Sequence, residues 1–209
     1  MFRVITISMV ILISLVFFIL LFFVTLVWIL IPAFYGLPPV PTKPERIRKA
    51  LKLANIQPNE VLYDLGAGDG RVLLIAAREF GAKAVGIEVG PVQCAAIWLR
   101  AVASGFGNQI QIRWANFYKA DLRDADVVFV YATSKEVMKL ASHLEKQLKH
   151  GARVVSISAD FPEWEPKELD DLGLIFIYEM PPIRGSITSY MIKKAKERFL
   201  FLNDDIIEI

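Results

Sequence analysis

Three closely spaced glycines follow an aspartate at the end of a short apolar run. The run Glu60–Leu65 predicts a β-strand, with Asp64 near its end and glycines at positions 66, 68 and 70 directly after it. Because glycine has no side chain, such a loop can turn tightly and pass close to a ligand. A helix predicted to start near Gly70 would point its free N–H groups at that ligand. Glycine loops in this position bind nucleotide-like cofactors at the carboxyl ends of parallel strands.

The spacing of the glycines separates two kinds of cofactor. In the dinucleotide fingerprint Gly-x-Gly-x-x-Gly, the third small position would fall on Arg71. Asp64 would also repel a pyrophosphate, whereas its charge suits the cationic amino-acid end of S-adenosylmethionine. Glu88, near the end of the predicted strand Lys83–Val89, is placed to accept hydrogen bonds from both ribose hydroxyls. The set predicts an S-adenosylmethionine site and disfavours a nicotinamide oxidoreductase.

Strands and helices alternate along the residues that carry this motif, which favours a Rossmann-like α/β fold with helices on both faces of a parallel sheet. The last two predicted strands, Leu174–Met180 and Ser186–Ile192, are joined by a short Pro-Pro-Ile-Arg-Gly loop that predicts an antiparallel hairpin. The other predicted helices cover 44–54, 70–80, 91–104 and 134–149, and the other predicted strands cover 109–115, 125–131 and 151–159.

From residue 44 to about residue 193 the chain resembles the class I S-adenosylmethionine-dependent methyltransferases. The resemblance implies a seven-stranded sheet with an antiparallel last strand. It implies a polar residue after the third strand that meets adenine, here Asn116 followed by Phe117, and a methyl-transfer site lined by the segment from Tyr131 to Thr133. The residues that would hold the methionine and ribose parts of the cofactor are Asp64, Gly66, Ala67, Gly68, Gly70 and Glu88.

A narrower resemblance is to a small family of protein-lysine methyltransferases, which includes archaeal enzymes of broad substrate range and mitochondrial enzymes that modify an ATP synthase subunit and a nucleotide carrier. It rests on the glycine loop through Arg71, on Asn116-Phe117, and on the segments Pro38–Thr42 and Phe161–Pro166. The resemblance implies that Thr42 and its neighbours close the cofactor pocket, although Pro39 stands where an aromatic residue is common.

The same resemblance suggests the acceptor side of the site. Tyr131, Thr133 and Trp164 are the predicted catalytic residues. Tyr131 and Trp164 would shape an apolar slot around a lysine stem, with cation–π contact to the amine. A dry pocket lowers the pKa of a lysine amine by disfavouring its charged form, so a dedicated base is not required. Asp69 and Asp160 are the candidates if one is used.

A long apolar segment precedes the predicted domain. No charged residue occurs from Val4 to Thr42, and Val4–Ile31 is almost entirely apolar. A membrane span needs about 20 apolar residues, whereas a cleaved signal peptide has a run of about 7–15 that ends in small residues. We therefore predict one uncleaved transmembrane helix that contacts the lipid bilayer through residues 4–31.

The flanking residues predict the orientation of that helix. Only Arg3 precedes it, whereas five basic residues follow between 43 and 52, so the positive-inside rule places the catalytic domain in the cytoplasm. Five prolines between 32 and 44 predict a stiff, extended connector that keeps the domain near the membrane. The expected divisions are a signal anchor (1–35), a proline-rich connector (36–44), a methyltransferase domain (45–195) and a C-terminal tail (196–209).

Charge and cysteine content narrow the partners. The net charge of +2 over the chain is too small for a nucleic-acid-binding surface. The histidines, the cysteine and the carboxylates are nowhere spaced in the sequence as metal ligands are, so no metal is expected. The single cysteine, Cys94, cannot form an internal disulfide and agrees with a reducing compartment.

The sequence thus predicts a membrane-anchored S-adenosylmethionine-dependent N-methyltransferase that acts on lysines of membrane-proximal proteins. Two alternatives remain open at this stage. The acceptor could be a membrane lipid or a quinone, or the chain could be a catalytically silent module docked on a membrane complex.

Overall fold

The structure, a computed structural model, describes residues 2–34, 42–170 and 172–207. Its helices are α1 (Phe2–Phe34), α2 (Pro44–Leu53), α3 (Arg71–Phe80), α4 (Pro91–Ala103), α5 (Ser134–Gln147) and α6 (Ile187–Ile207). Its strands are β1 (Val61–Leu65), β2 (Lys83–Glu88), β3 (Ile110–Trp114), β4 (Val127–Tyr131), β5 (Arg153–Ile157), β6 (Glu168–Asp170) and β7 (Ile175–Glu179). A short 3-10 turn, Phe117–Lys119, follows β3.

The seven strands form one sheet in the order β3-β2-β1-β4-β5-β7-β6. Strands β1 to β5 are parallel, and β7 lies antiparallel between β5 and β6. This arrangement confirms the predicted Rossmann-like sheet with an antiparallel last strand. Chain order reverses between β1 and β4, and ligands of such sheets bind at that switch point, outside the carboxyl ends of the strands.

The predicted hairpin at the end of the chain is wrong. Residues 186–192 do not form a strand: Ser186 precedes α6, and residues 187–192 are its first residues. The strand that completes the sheet is instead β6, which comes before β7 in the chain. Ser186 and Ser189 exchange backbone and side-chain hydrogen bonds of 2.7 and 3.3 Å, the kind of local bonding that starts a helix. β6 has only three residues and is too short to show an alternating pattern. Helix α6 also continues from residue 196 to 207, where the sequence analysis placed a tail.

Two apolar layers cover the sheet. Side chains of a strand alternate between faces, so Leu62 packs under α2, α3 and α4, whereas Tyr63 and Leu65 pack under α5. Strand β4 is buried along nearly its whole length, as expected for a central parallel strand covered on both sides. The rigid sheet holds the carboxyl ends of β1, β2, β3 and β4 in one row.

Helix α1 is long and apolar enough to cross a membrane. Its stretch Met9–Val27 has a mean hydropathy of 3.3 and none of it is buried against the protein. These properties fit either a membrane span or a signal sequence. Of the predicted connector, residues 36–41 lie outside the described residues, and Thr42 is the first described residue before α2.

Candidate cofactor site

The glycine loop connects β1 to α3 at the switch point of the sheet. The N–H groups of Gly66 and Ala67 both donate to the Ile87 carbonyl oxygen, at 2.9 and 3.1 Å, which holds the loop against β2. Gly70 begins α3 with a φ of 76°, in the left-handed region that favours glycine. A methyl group at Gly70 would lie only 2.8 Å from Ile97 Cγ2, so α4 packs directly against the loop.

Glu88 ends β2 beside this loop. Its Oε2 accepts the Gly68 N–H at 2.8 Å, and its Oε1 accepts the N–H groups of Val89 and Gly90, both at 2.9 Å. The side chain is buried. An ionised carboxylate has about four acceptor positions, so Glu88 can accept these three bonds and still has about one position left for a ribose hydroxyl. Its position fits the predicted ribose contact.

Asp64 lies under the loop, near the end of β1. Its side chain is only 4% exposed. Burial raises the pKa of Asp64 to about 8, and repulsion from the nearby carboxylates of Glu88 and Asp69 adds to the rise. A buried carboxylate with so high a pKa has, among the described residues, no nearby positive charge that would stabilise its ionised form. The ammonium group of S-adenosylmethionine would supply that charge, so the residues present fit this cofactor.

Arg71 links the loop to the segment before α2. Its Nε donates to both carboxylate oxygens of Asp69, at 3.0 and 2.9 Å, and its Nη1 donates to the Thr42 carbonyl oxygen at 2.9 Å. Burial opposes ionisation of Asp69, but the bonds from Arg71 outweigh it and hold the pKa of Asp69 below its usual value. Thr42 is thereby fixed beside the loop, as predicted for a residue that helps close the pocket.

In the sequence, Arg71 only argues against a dinucleotide, and its link to Thr42 is not predicted. The signal that could have found it is the Asp-x-Arg spacing of Asp69 and Arg71, which allows the two side chains to pair across a turn.

We expect Arg71→Lys to weaken cofactor binding about tenfold, because one ammonium cannot serve both Asp69 and the Thr42 carbonyl. Isothermal titration of the full chain with S-adenosylmethionine measures this. The matched control is Arg123→Lys, since Arg123 pairs with Asp121 across the same Asp-x-Arg spacing on an exposed turn. Equal affinity in the Arg71 variant and the native chain would contradict the linking role.

Asn116 and Phe117 lie just after β3, next to Glu88. The Ala115 N–H donates to the Glu88 carbonyl oxygen at 2.9 Å, which keeps this segment beside β2. The Asn116 side chain accepts the Tyr118 N–H at 3.0 Å, and the Phe117 ring is buried against that of Tyr118. Both residues therefore lie at the edge where the resemblance expects adenine.

The acceptor side is built around the end of β4. Tyr131 is partly exposed there, with the Arg46 guanidinium carbon 6.0 Å from its ring centre. Arg46 is held by the Gly173 carbonyl oxygen at 2.7 Å and by Ser158 Oγ at 3.0 Å. In the sequence, Arg46 is one of the five basic residues between 43 and 52 and has no predicted role in the site. Its role beside Tyr131 depends on how α2 packs, which no local pattern reveals.

Thr133 and Glu136 form a capping box at the start of α5. The hydroxyl and the N–H of Thr133 both donate to the Glu136 carboxylate. Thr133 follows Tyr131 by two residues and is exposed to solvent, but its hydroxyl is already bonded within this cap. Because its hydroxyl is bonded to Glu136, Thr133 fits a residue that lines the acceptor side better than one that transfers a proton.

Trp164 is not brought to this edge of the sheet. It is 1% exposed, stacks on Phe161 at 4.2 Å, and donates from Nε1 to Glu145 Oε1 at 2.9 Å. Glu145 lies in the last turn of α5, and Tyr178, whose ring also contacts Trp164, pairs with Val154 near the start of β5. The predicted contact of Trp164 with a lysine substrate is therefore corrected to a packing role at the opposite end of the sheet.

Comparison with known proteins agrees with this geometry. Residues 64–168, from Asp64 to the first residue of β6, match the family model described as the ANTKMT methyltransferase domain. The chain is 34% identical over 134 residues to a protein-lysine N-methyltransferase of Saccharolobus islandicus (strain REY15A), covering 64% of this chain and 83% of that protein. It is 27% identical over 157 residues to the lysine N-methyltransferase of the ATP synthase c-subunit in Homo sapiens, covering 71% of this chain and 64% of that protein.

A solved structure is also similar. It is described as an RNA methyltransferase from Salinibacter ruber in complex with S-adenosyl-L-homocysteine, with 34% identity and a TM-score of 0.67, and the match covers 70% of this chain and 97% of that one. The glycine loop, Glu88 and the buried Asp64 thus belong to a methyltransferase whose cofactor is S-adenosylmethionine. The chain is a member of the ANTKMT methyltransferase family.

Proposed function

We propose that this protein transfers methyl groups from S-adenosylmethionine to lysine side chains of proteins at a membrane surface. The observation that carries the proposal is the buried Asp64 beside the glycine loop, in a chain whose relatives are named as lysine methyltransferases. Two relatives with the same acceptor chemistry favour lysine over a lipid or a quinone.

The residues of the site have distinct roles in this proposal. Asp64 binds the ammonium group of the cofactor, Glu88 the ribose hydroxyls, and Asn116 and Phe117 the adenine. Thr42, held by Arg71, closes the pocket. When bound, S-adenosylmethionine supplies an electrophilic methyl group on a sulfonium. The remaining backbone positions of the cofactor loop are Gly66, Ala67, Gly68 and Gly70.

The acceptor lysine must be neutral when it attacks. The unperturbed pKa of a lysine amine is about 10.4, so most of it is protonated at neutral pH. A fixed positive charge nearby lowers the pKa of the amine, because like charges disfavour the protonated form. Arg46, 6.0 Å from the Tyr131 ring, supplies such a charge on the acceptor side. Tyr131 then lines the slot and Thr133 its rim.

We expect Arg46→Gln to lower the rate of lysine methylation about tenfold at pH 7.5, with the loss shrinking as the pH approaches 10. One unit of pKa corresponds to a tenfold change in the neutral fraction. Initial rates across this pH range measure the effect. Arg46→Lys keeps the charge and is expected to retain most of the activity at every pH. A loss that is constant with pH would assign Arg46 a structural role only.

The membrane position of the enzyme rests on α1, which we infer to be a single transmembrane anchor. The basic residues after it favour a cytoplasmic catalytic domain. Two of them form ion pairs within the domain: Arg48 pairs with Glu79 and Lys49 with Asp170, both at 2.7 Å. The basic residues after α1 therefore carry fewer unpaired positive charges that could contact lipid headgroups than the sequence alone indicates.

One observation favours a second acceptor class. The similar Salinibacter structure is described as an RNA methyltransferase. RNA remains the second candidate on that ground, although the small net charge of this chain does not favour it.

Transfer of a radiolabelled methyl group to native membranes tests these proposals together. Membranes are incubated with the full chain and labelled S-adenosylmethionine, and protein, lipid and RNA are then separated. Label recovered as methyl-lysine after hydrolysis of one membrane protein is the expected result. Label in the lipid or the RNA fraction, with none in methyl-lysine, would overturn the lysine assignment and leave the enzyme class intact.

A further inference from the structure

Apart from Arg100, helix α4 is apolar on its outer side as well as its inner side. Ile97 and Ala101 pack into the core, whereas Trp98, Leu99 and Val102 are 58%, 60% and 50% exposed. A helix whose outer side faces water normally carries polar residues there, and one that is apolar all round is covered by something. Within the described residues, the outer surface of α4 is therefore too apolar to be explained by contact with water alone.

Trp114 extends this surface onto the sheet. Along β3, Ile110 and Ile112 point into the core on the side of α4, and side chains alternate along a strand, so Trp114 points to the same side. It is 72% exposed, and its Nε1 donates to the Val89 carbonyl oxygen at 2.8 Å, just before α4 begins. We call Trp98, Leu99, Val102 and Trp114 together the α4 face.

The charges around the α4 face suit an anionic surface. Arg100 is the charged residue of α4, and no aspartate or glutamate occurs in the sequence between Glu88 and Asp121. Anionic headgroups would therefore meet no like charge from this stretch of chain. Tryptophan is also the residue type most typical of the boundary between lipid tails and water, where its ring is buried and its N–H is satisfied.

The position of α1 identifies what covers the α4 face. Helix α1 contacts α4. The exposure of its side chains falls from 65% at Phe22 to 38% at Leu26, as the helix approaches the domain. A helix that spans the membrane and contacts α4 brings α4 to the bilayer surface.

We propose that the α4 face lies in the interfacial layer of the lipid bilayer and holds the catalytic domain flat against the membrane. This inference rests on the proposed function in one respect, the membrane span α1. Helix α4 begins two residues after Val89, at the same edge of the sheet as Glu88. The contact therefore brings the cofactor edge close to the membrane surface, where lysines of membrane proteins emerge.

Site-directed fluorescence on the full chain tests the proposal. In a Cys94→Ala background, Val102→Cys and Trp98→Cys each carry an environment-sensitive NBD probe on the α4 face. Met138→Cys is the matched control, since Met138 is 56% exposed on α5, on the other face of the sheet. The protein is reconstituted in vesicles of phosphatidylcholine and phosphatidylglycerol, with or without phospholipids that carry a nitroxide quencher on the acyl chain.

The expected result is a blue-shifted emission and a several-fold stronger nitroxide quenching for the two α4 probes than for the Met138 probe. Equal, weak quenching at all three positions would overturn the inference. So would a blue shift without quenching, because it would mean that a second copy of the chain covers the α4 face. Flotation with the vesicles is measured on the same samples. A chain that fails to float refutes the membrane span itself, whereas one that floats with unquenched α4 probes refutes only the α4 contact.

Discussion

Replacing Asp64 with asparagine is expected to weaken binding of S-adenosylmethionine by at least roughly 100-fold. The cofactor ammonium would then enter a buried site without its counter-charge, and removing one partner of a buried ion pair costs about 3–5 kcal/mol. Titration calorimetry of the full chain in detergent measures the affinity. Asp124→Asn is the control, because that carboxylate is exposed in the turn before β4, at the opposite edge of the sheet.

The same substitution is expected to stabilise the cofactor-free protein at alkaline pH. The pKa of Asp64 is raised to about 8 in the folded chain, whereas an unfolded aspartate has a pKa of about 3.9. The folded state therefore holds a proton that the unfolded state releases, and native stability falls as the pH rises from about 4 to 8. Asp64→Asn removes this loss. Its advantage should be absent near pH 4 and complete above pH 8.

Thermal unfolding across this pH range checks the sign. A pKa that falls from about 8 to about 4 on unfolding corresponds to a gain of up to about 5 kcal/mol above pH 8, and each kcal/mol raises the Tm by roughly 2–4 °C. Cofactor affinity of the native chain should show the matching trend, rising with pH up to about 8 as the carboxylate loses its proton. A variant that binds the cofactor normally, or one that is less stable than the native chain at pH 9, would refute the assignment of Asp64.

Gly70→Ala is expected to be the most destabilising single substitution in the loop. Its φ of 76° costs alanine about 1–2 kcal/mol. The added methyl would lie 2.8 Å from Ile97 Cγ2, and overpacking costs typically 1–3 kcal/mol more. We therefore expect a loss of about 2–5 kcal/mol in the free energy of unfolding, measured by urea denaturation.

Gly105→Ala separates the two contributions. Gly105 has a φ of 79°, but no atom lies within 4 Å of the position that its methyl group would take. It should therefore lose only the backbone part, about 1–2 kcal/mol. If both variants lose the same amount, α4 does not press against the loop, and the description of the packing at Gly70 is incorrect.

The sequence was most informative where the signal is local. The alternation of strands and helices predicted β1 to β5 and their helices to within a few residues, and the glycine loop with Asp64 and Glu88 identified the cofactor. These features need only neighbours in the chain. β6 was missed because three residues carry no period, and the start of α6 was read as a strand because Ile187, Tyr190 and Ile192 are β-prone residues.

Contacts between distant segments were not predictable in this way. Arg46 reaches residues 158 and 173, more than 100 positions away, and Arg71 reaches Thr42. For Trp164 the sequence predicts a substrate contact that the structure does not show. An aromatic-rich turn can face either a ligand or the core, and the hydrogen bond from Trp164 to Glu145 shows that this one faces the core. Both kinds of question depend on packing, which local composition does not encode.

The bond that Glu88 accepts from Gly68, together with those that the Ile87 carbonyl oxygen accepts from Gly66 and Ala67, bears on how quickly the cofactor can bind and leave. The loop is tied to β2 by the protein's own groups, so its shape does not depend on a ligand. Little conformational entropy then remains to be lost on binding, and no slow rearrangement should precede it. Product could leave and fresh cofactor enter through a pocket that keeps its form between turnovers.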